Sequence, residues 1–342
     1  GRTAFILSAG LRKLNWGKAD SDGPLDVINP HDYSDLSEVI DYAGIKIARP
    51  LVHAVWNAGD FIKVEGVLVP WFAGHTFADS GRWKPQNISK LEDMLGTIPG
   101  ITEENKTIQN PDGASLSYFQ AGARASATIG GADMALQYYY GYLPRPAVEV
   151  KLAPAAPSIP VGASLVYNRF HQAGADFAAV IAGFNLRAEA AFNITEDTEG
   201  SDPSVYNPFF HWSLGFDRAF AGFDLNLQCA EKIRLVKGVS KKISLAPFAP
   251  DLETDIEAEI PSTLTRVTAR VSRVFFRDAL TLKFTTLWDI EDSASLLVPS
   301  VTLKKGDIEF EISCGIFAGR GNGELGQYRD NGFAKALVTW VF

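Results

Sequence analysis

Three aspartates near the N-terminus are the first candidates for a functional site, because they lie close together in the sequence. Asp20, Asp22 and Asp26 surround Gly23, and closely spaced carboxylates suit a hard cation such as Ca²⁺. The segment lacks the other ligands of an EF-hand loop. We therefore favour a solvated acidic turn and keep a calcium site as the alternative hypothesis.

Catalytic residues are harder to find in this chain. Its five histidines show no metal-ligand spacing, and there is no Gly-x-Ser-x-Gly motif or phosphate-binding loop. His211 and Ser213 would share one face of a strand, as a hydrolase could use, but this spacing is common in strands. We therefore expect neither an enzyme nor a cofactor.

A third candidate group consists of charged residues that alternate with apolar ones. Their role would be to line a lumen, because a basic lumen attracts anions and repels small cations. Alternatively, the charges pair into ladders that brace a wall, and for any single residue we favour bracing. The excess of Arg and Lys over the whole group is harder to explain in that way. The predicted lumen-facing residues are Arg12, Lys63, Glu65, Arg124, Arg169, Arg187, Glu189, Asp217, Arg266, Arg270, Lys283, Asp289 and Lys335.

Alternation with period two, in segments of about ten residues, is the signal that positions these charges. At the end of the chain, Val338, Trp340 and Phe342 share one face, and Lys335 and Thr339 share the other. No stretch of about 18 apolar residues occurs, so no transmembrane helix is expected. Only helices and closed barrels satisfy their backbone in lipid, so a membrane protein with this pattern must be a barrel.

Short and long connections alternate almost throughout the chain. A transmembrane barrel has tight periplasmic turns and long outer loops, whereas loops this long are unusual in a compact soluble domain. We predict tight turns at 57–60, 130–133, 183, 221–222, 277–279 and 305–307. We predict long loops at 17–43, 74–114, 145–162, 195–208, 235–263 and 319–330.

The predicted fold is all-β: a single antiparallel up-and-down barrel over residues 1–342, with about fourteen strands (range 12–16) and both ends on the periplasmic side. The strands are expected at 3–16, 44–56, 61–73, 115–129, 133–143, 163–182, 184–194, 209–220, 223–234, 264–276, 280–290, 295–304, 308–318 and 331–342.

The last strand resembles the C-terminal signature of bacterial outer-membrane barrels. It has Trp340 two residues before the terminal Phe342. The resemblance implies that the barrel-assembly machinery reads this strand and that the protein lies in the bacterial outer membrane. We also expect a signal peptide that has been removed, and we leave open whether native residues precede Gly1.

The segments Leu11-Arg-Lys-Leu-Asn-Trp-Gly17 and Asp26-Val-Ile-Asn-Pro-His-Asp32 resemble a pattern in a large, poorly characterised group of outer-membrane barrels. In that group a strand ends in Gly-Arg-Gln and Trp-Gly, and the next loop contains Ile-Asn-Pro-x-Asp. Here Lys13 replaces the usual Gln. The resemblance implies export of lipids or hydrophobic compounds for some members. From the residues themselves, Trp16-Gly17 is an interface anchor with a bend, and Asn29-Pro30 is a turn that folds the loop inwards. We favour a purely structural role, in which the loop is held against the wall.

Other segments give narrower predictions. A short helix is expected over 87–96, with Ser89 and Glu92 as a capping box and Gly96 at its end; it could narrow the pore or lie on the rim. The Pro-rich segment 144–160 should be extended without a strand partner. Cys229 and Cys314 should face lipid in the reduced state.

The net charge of −8 argues against nucleic acid as a partner. The leading hypothesis is an outer-membrane channel for small solutes with some anion preference. One alternative is a carrier of fatty acids or other hydrophobic compounds. Another is a structural or adhesive barrel with a sealed lumen, in a larger complex. Outer-membrane lipid is an expected partner, and a homo-oligomer or a membrane-protein partner stays open.

Overall fold

A fourteen-stranded antiparallel sheet dominates the structure, a computed structural model that describes residues 4–97, 115–153, 156–238, 242–244, 251–258, 260–320 and 323–340. Its strands are β1 (Ala4–Arg12), β2 (Arg49–Asn57), β3 (Ile62–Val69), β4 (Gln120–Ile129), β5 (Ala132–Tyr142), β6 (Arg169–Ile181), β7 (Phe184–Thr195), β8 (Phe209–Phe220), β9 (Phe223–Arg234), β10 (Thr263–Phe275), β11 (Leu280–Asp289), β12 (Ala294–Lys305), β13 (Ile308–Ala318) and β14 (Phe333–Trp340).

Each strand from β2 to β13 pairs with the sheet strand before it and the one after it, which confirms the up-and-down order. Within the described ranges no ladder joins β1 to β14, so strand pairing leaves the sheet open between these edges. The wall nevertheless surrounds a central space, because the loop after β1 contacts both Glu189 on β7 and Lys335 on β14. The fold is therefore all-β and barrel-like, and the predicted fourteen strands are confirmed.

The polarity of the two faces of the sheet is reversed relative to a water-soluble protein, in which the inward face is apolar and the outward face is polar. Leu136 is 69% exposed while its neighbour Gln137 is 4% exposed, and Ile312 is 66% exposed while Ser313 is 9% exposed. Successive strand residues point to opposite faces, so the outward face is apolar and the inward face is largely polar. We call the space enclosed by the inward face the lumen.

Tight turns lie at one end of the sheet and long loops at the other. Ala182-Gly183 and Ala221-Gly222 both have positive φ at each of their two residues, as the type I′ turns of β-hairpins require. At the opposite end, long connections follow β1, β3, β5, β7, β9 and β13. The predicted alternation of short turns and long loops is thus confirmed.

Two predictions about the loops are wrong. Residues Ala147–Ala153 pair with Ala156–Val166 in a hairpin of their own, so the Pro-rich segment is not free of strand pairing. Proline tolerates edge positions of this kind. The predicted strand 163–182 is accordingly two strands, which separate at Tyr167-Asn168.

The predicted helix over 87–96 is present as α1 (Gln86–Thr97). The capping box is wrong, because Ser89 lies inside the helix and Glu92 pairs with Lys84. Apolar residues of α1, including Leu95, pack with Ala163 and Leu252 in the loop layer. None of the described helices is long and apolar enough to cross a membrane.

Replacing Phe317 and Phe310 separately tests the assignment of the two faces. Phe317 is inward-facing and 4% exposed, whereas Phe310 on the same strand is outward-facing and 46% exposed. Phe317→Ala should lower the free energy of unfolding by about 3–5 kcal/mol because it removes a ring from a packed cluster. Phe310→Ala should lower the free energy of unfolding in detergent by much less, because the ring is already exposed on the outward face. Urea unfolding measures both, and equal losses would contradict the assignment.

Candidate functional site: a filled lumen

The long loop after β1, residues 13–48, fills the lumen; we call it the plug. Glu189, inward-facing on β7, is its main anchor. One carboxylate oxygen accepts hydrogen bonds from the backbone N–H groups of Lys18 and Ala19, and the other accepts one from the N–H of Leu25 at 3.3 Å. A carboxylate that accepts several backbone N–H groups forms strong, charge-assisted hydrogen bonds. The plug is therefore held at the middle of the wall.

Three inward-facing glutamines, on β5, β6 and β9, add further anchors. Gln137 donates to the carbonyl of Leu25 and Gln172 donates to the carbonyl of Pro24, both at 2.9 Å. On β9, Gln228 accepts from the N–H of Asp20 at 2.8 Å. These glutamines were not among the predicted lumen-facing residues, although their inward position follows from the same alternation as that of the charged ones.

The plug extends almost through the lumen. It leaves β1 at the end with the long loops. Near the opposite end, the Lys18 ammonium lies 3.5 Å from a carboxylate oxygen of Asp133, the second residue of β5, which directly follows a tight turn. Close approach requires glycine: a Cβ at Gly17 (φ +94°) would lie 2.5 Å from a carboxylate oxygen of Glu189. The Trp16-Gly17 pair therefore brings the backbone against the wall.

Apolar residues of the plug pack on the wall on two sides. Trp16 and Ile28 join a buried cluster with Tyr139 and Phe170, and Gly122 on β4 leaves room for the Trp16 indole ring. On the other side, Leu36 joins a cluster that contains Phe317 and Tyr328. Trp16 is thus a core residue and not the interface anchor that was predicted.

Asn29 ties the two ends of the plug together. Its side-chain oxygen accepts from the N–H of Leu14 at 2.8 Å, and its amide donates to the carbonyls of Arg12 at 2.9 Å and Ile47 at 2.8 Å. Nearby, the buried ammonium of Lys46 pairs with Asp26. The inward fold predicted from Asn29-Pro30 is present, and these contacts are its physical cause.

Most of the predicted lumen-facing charges are paired. Arg124 contacts Asp176 at 2.5 Å, and Arg266 contacts Asp289 at 2.6 Å and Glu324 at 3.0 Å. The other pairs are Lys63–Glu65 (2.8 Å), Arg187–Asp217 (2.6 Å), Arg187–Asp20, Lys283–Glu311 (3.8 Å) and Lys335–Glu38 (2.5 Å). This pairing supports the bracing interpretation for these residues.

Three predicted residues differ from that pattern. Arg12 is inward-facing and donates to Ser8. Arg270 is inward-facing and exposed, with no carboxylate within 4.0 Å in the described part of the chain. The prediction for Arg169 is wrong, because its side chain lies on the outward face over the rings of Tyr140 and Tyr142.

The three aspartates considered for calcium do not converge. Asp20 pairs with Arg187, Asp26 pairs with Lys46, and Asp22 lies 3.9 Å from Arg266. No cluster of three metal-ligating side chains occurs among the residues whose positions are described. His211 and Ser213 both face the lumen, but no hydrogen bond joins these two described side chains.

A small cavity lies beside the plug. It has a volume of about 40 Å³ and is lined by Asp22, His211, Lys232, Arg266 and Glu324, which is room for a few water molecules. Several buried polar atoms of the wall have no protein partner, among them Gln120 Nε2, Asn193 Nδ2, Thr285 Oγ1 and Ser300 Oγ. Such atoms require water or another polar group.

Burial keeps two neighbouring histidines uncharged: His31 in the plug and His75 in the loop after β3. Both ring nitrogens of His31 lack hydrogen-bond partners, and burial, with a smaller effect of Lys46, lowers its pKa to about 4. Burial likewise lowers the pKa of His75 to about 3, and its Nδ1 accepts from the N–H of His31 at 2.9 Å. Both rings are therefore neutral near pH 7.

The closing strand follows its predicted faces, with Trp340 exposed on the outward side; Phe342 lies outside the described residues. No protein-family model matches the sequence, and no curated protein matches it. The resemblance drawn from residues 11–32 therefore stays a prediction.

Removing the Glu189 anchor should loosen the plug. Glu189→Ala leaves three backbone N–H groups without their acceptor, so hydrogen exchange at Lys18, Ala19 and Leu25 should accelerate roughly tenfold or more. Exchange measured by mass spectrometry checks this. The matched control is Glu311→Ala, which removes an inward carboxylate that does not touch the plug. Equal exchange in both variants would contradict the anchoring role.

Acid should weaken the plug through His31. Its folded-state pKa of about 4 lies below the ordinary 6.5, so the unfolded chain binds the proton first and stability falls as pH drops from 6.5 towards 4. His31→Leu should flatten this part of the stability profile, measured as urea midpoints across the range. His171→Leu, at an exposed outward position away from the plug, controls for the loss of a histidine as such. An unchanged slope in His31→Leu would refute the prediction.

Proposed function

We propose that this protein is a transport barrel of the bacterial outer membrane that is closed at rest by its plug. The observation that carries the proposal is the combination of an exposed apolar outer face with a polar lumen filled by residues 13–48. An apolar outer face suits contact with acyl chains, and a polar interior suits a water-filled path.

The outer face supports the membrane part of the proposal. Large apolar side chains such as Leu214 and Phe284 are exposed at mid-strand, and monomeric soluble proteins rarely expose continuous apolar surfaces of this extent. Lipid is the surrounding that would cover this face. The C-terminal strand ending at Trp340 would then be the segment that the assembly machinery recognises.

The chemistry of the lumen supports transport over a permanently sealed barrel. The wall opposite the plug is rich in Gln, Asn, Ser and Thr, and some of these groups are left without protein partners. A wall built only to pack would gain more from apolar contacts, because a buried polar group costs free energy unless it is hydrogen-bonded. Displacement of the plug would allow water to satisfy these groups.

The plug also carries part of the negative charge of the lumen. Asp20, Asp22 and Glu38 belong to the plug, and they lie beside Arg187, Arg266 and Lys335 of the wall. When the plug leaves, these three cations lose those partners and the lumen becomes more positive. We therefore infer that the open state prefers small anions.

Planar-bilayer recordings of the detergent-folded protein test the proposal. The wild-type protein should be closed most of the time, and Glu189→Ala should raise the open probability because it releases the plug. Reversal potentials in a salt gradient should show anion preference in the open state. Glu311→Ala should record like the wild type.

Two outcomes would contradict the proposal. A steadily open wild-type channel would mean that the plug does not close the lumen. Silence in Glu189→Ala, for protein that is folded by its heat-modifiable gel mobility and whose plug amides exchange faster, would favour a structural barrel in a larger complex or a carrier of hydrophobic compounds.

A further inference from the structure

The outward face of β5 to β8 contains a groove where side chains are small. Ala173, Ala175 and Ala190 form its floor, and Leu136 and Phe192 stand beside them. Phe210 extends this side and stacks on Phe192 with ring centroids 4.7 Å apart. The groove has a volume of about 440 Å³ and is open to the outside along its length.

A cation lies on the same strand, towards the end with the long loops. Arg169 is the first residue of β6, and its guanidinium lies 4.3 Å from the ring centre of Tyr142 and 4.8 Å from that of Tyr140. It donates one hydrogen bond to the carbonyl of Ser117 at 2.5 Å. These contacts fix the guanidinium on the outer face.

Arg169 has donor capacity that the protein does not use. Its Nη1 is buried and has no hydrogen-bond partner, and no carboxylate of the described residues lies within 4.0 Å of the guanidinium, so a bound anion would be its first charged partner. A guanidinium presents several N–H groups suited to phosphate. Between Arg169 and the groove, Tyr138 and His171 share a hydrogen bond of 2.6 Å, so polar groups continue from the cation towards the alanine floor.

The spacing of these features follows from the strand. Arg169 and Ala173 are four residues apart and point to the same face, a separation of about 13 Å along a β-strand. In the proposed membrane location, the cation and its tyrosines would sit at the interface, where aromatic and basic residues are enriched, and the alanine floor would lie deeper. A membrane lipid has the same arrangement, with its anionic head group at the interface and its acyl chain deeper in the bilayer.

We propose that this surface is a binding site for one phosphorylated membrane lipid. The phosphate contacts the guanidinium of Arg169, and an acyl chain lies in the groove over Ala173, Ala175 and Ala190. The site rests on the proposed membrane location, but not on transport, because it lies outside the lumen and does not involve the plug.

Native mass spectrometry of the protein in detergent micelles tests the site without requiring channel activity. The probes are phosphatidylglycerol and an uncharged diacylglycerol with the same chains. The wild type should retain phosphatidylglycerol in preference to diacylglycerol. Arg169→Gln should weaken phosphatidylglycerol binding roughly tenfold or more, because a charged hydrogen bond is lost. Ala175→Leu, which fills the groove without changing charge, should also weaken it.

Arg273→Gln is the matched control. Arg273 also faces outward over aromatic rings, 4.7 Å from Phe223 and 5.1 Å from Phe275, but at the end with the tight turns. Its replacement should leave lipid retention unchanged. Equal loss in both arginine variants, or no loss in Arg169→Gln, would overturn the proposal.

Two further outcomes identify other occupants and would also overturn it. If glycerol 3-phosphate competes as well as the whole lipid, and Ala175→Leu has no effect, the surface binds a free phosphate compound and the groove is not used. If the wild type is dimeric and Ala175→Leu makes it monomeric without changing lipid retention, the groove binds a second copy. Failure of the conductance test alone would leave the lipid site intact.

Discussion

Hydrogen-bonding of the inward-facing polar side chains is the constraint on which the rest of the structure depends. Buried donors and acceptors without partners cost about 1–3 kcal/mol each, and alternation places such groups along the whole inner wall. The plug supplies many of the partners from its own backbone: Glu189, Gln137, Gln172 and Gln228 all bind N–H or C=O groups of residues 18–25. Backbone groups of a loop are thereby satisfied without secondary structure.

The conspicuous residues of the N-terminal segment follow from this constraint. Gly17 allows the backbone to approach Glu189, and Asn29 joins Leu14 to Ile47 so that the plug begins and ends at nearby points. Ion pairs complete the arrangement, since a buried charge is tolerated only when it is paired. The shared ionic contacts also mean that plug position and lumen charge change together.

Much of the fold could be predicted from the sequence, because each strand repeats a simple period. The number of strands, their faces and the alternation of turns follow from residues such as Ile312 and Ser313 that differ sharply in polarity. The filling of the lumen could not be predicted, because it depends on contacts between residues more than 100 positions apart, such as Ala19 and Glu189. Local patterns carry no information on such pairs.

The error at Arg169 has a local cause. At the loop end of β6 the polarity of the faces is reversed: Phe170 points inward into the cluster around Trp16, while Arg169 and His171 point outward beside tyrosines. Further along, Ala173, Gly174 and Ala175 are small on both faces, so alternation gives no contrast. A prediction from polarity alone therefore places the first side chains of β6 on the wrong faces of the sheet.

The inverted polarity of the wall is the central claim, and spin labels at successive positions from 308 to 316 on β13 test it most directly in lipid vesicles. We expect the even-numbered positions to be accessible to dissolved oxygen but not to a water-soluble nickel reagent, because they contact acyl chains. Odd-numbered positions, facing the filled lumen, should be shielded from oxygen. Access of the nickel reagent to the even-numbered positions would mean that this face meets water, and the membrane-barrel account would be wrong.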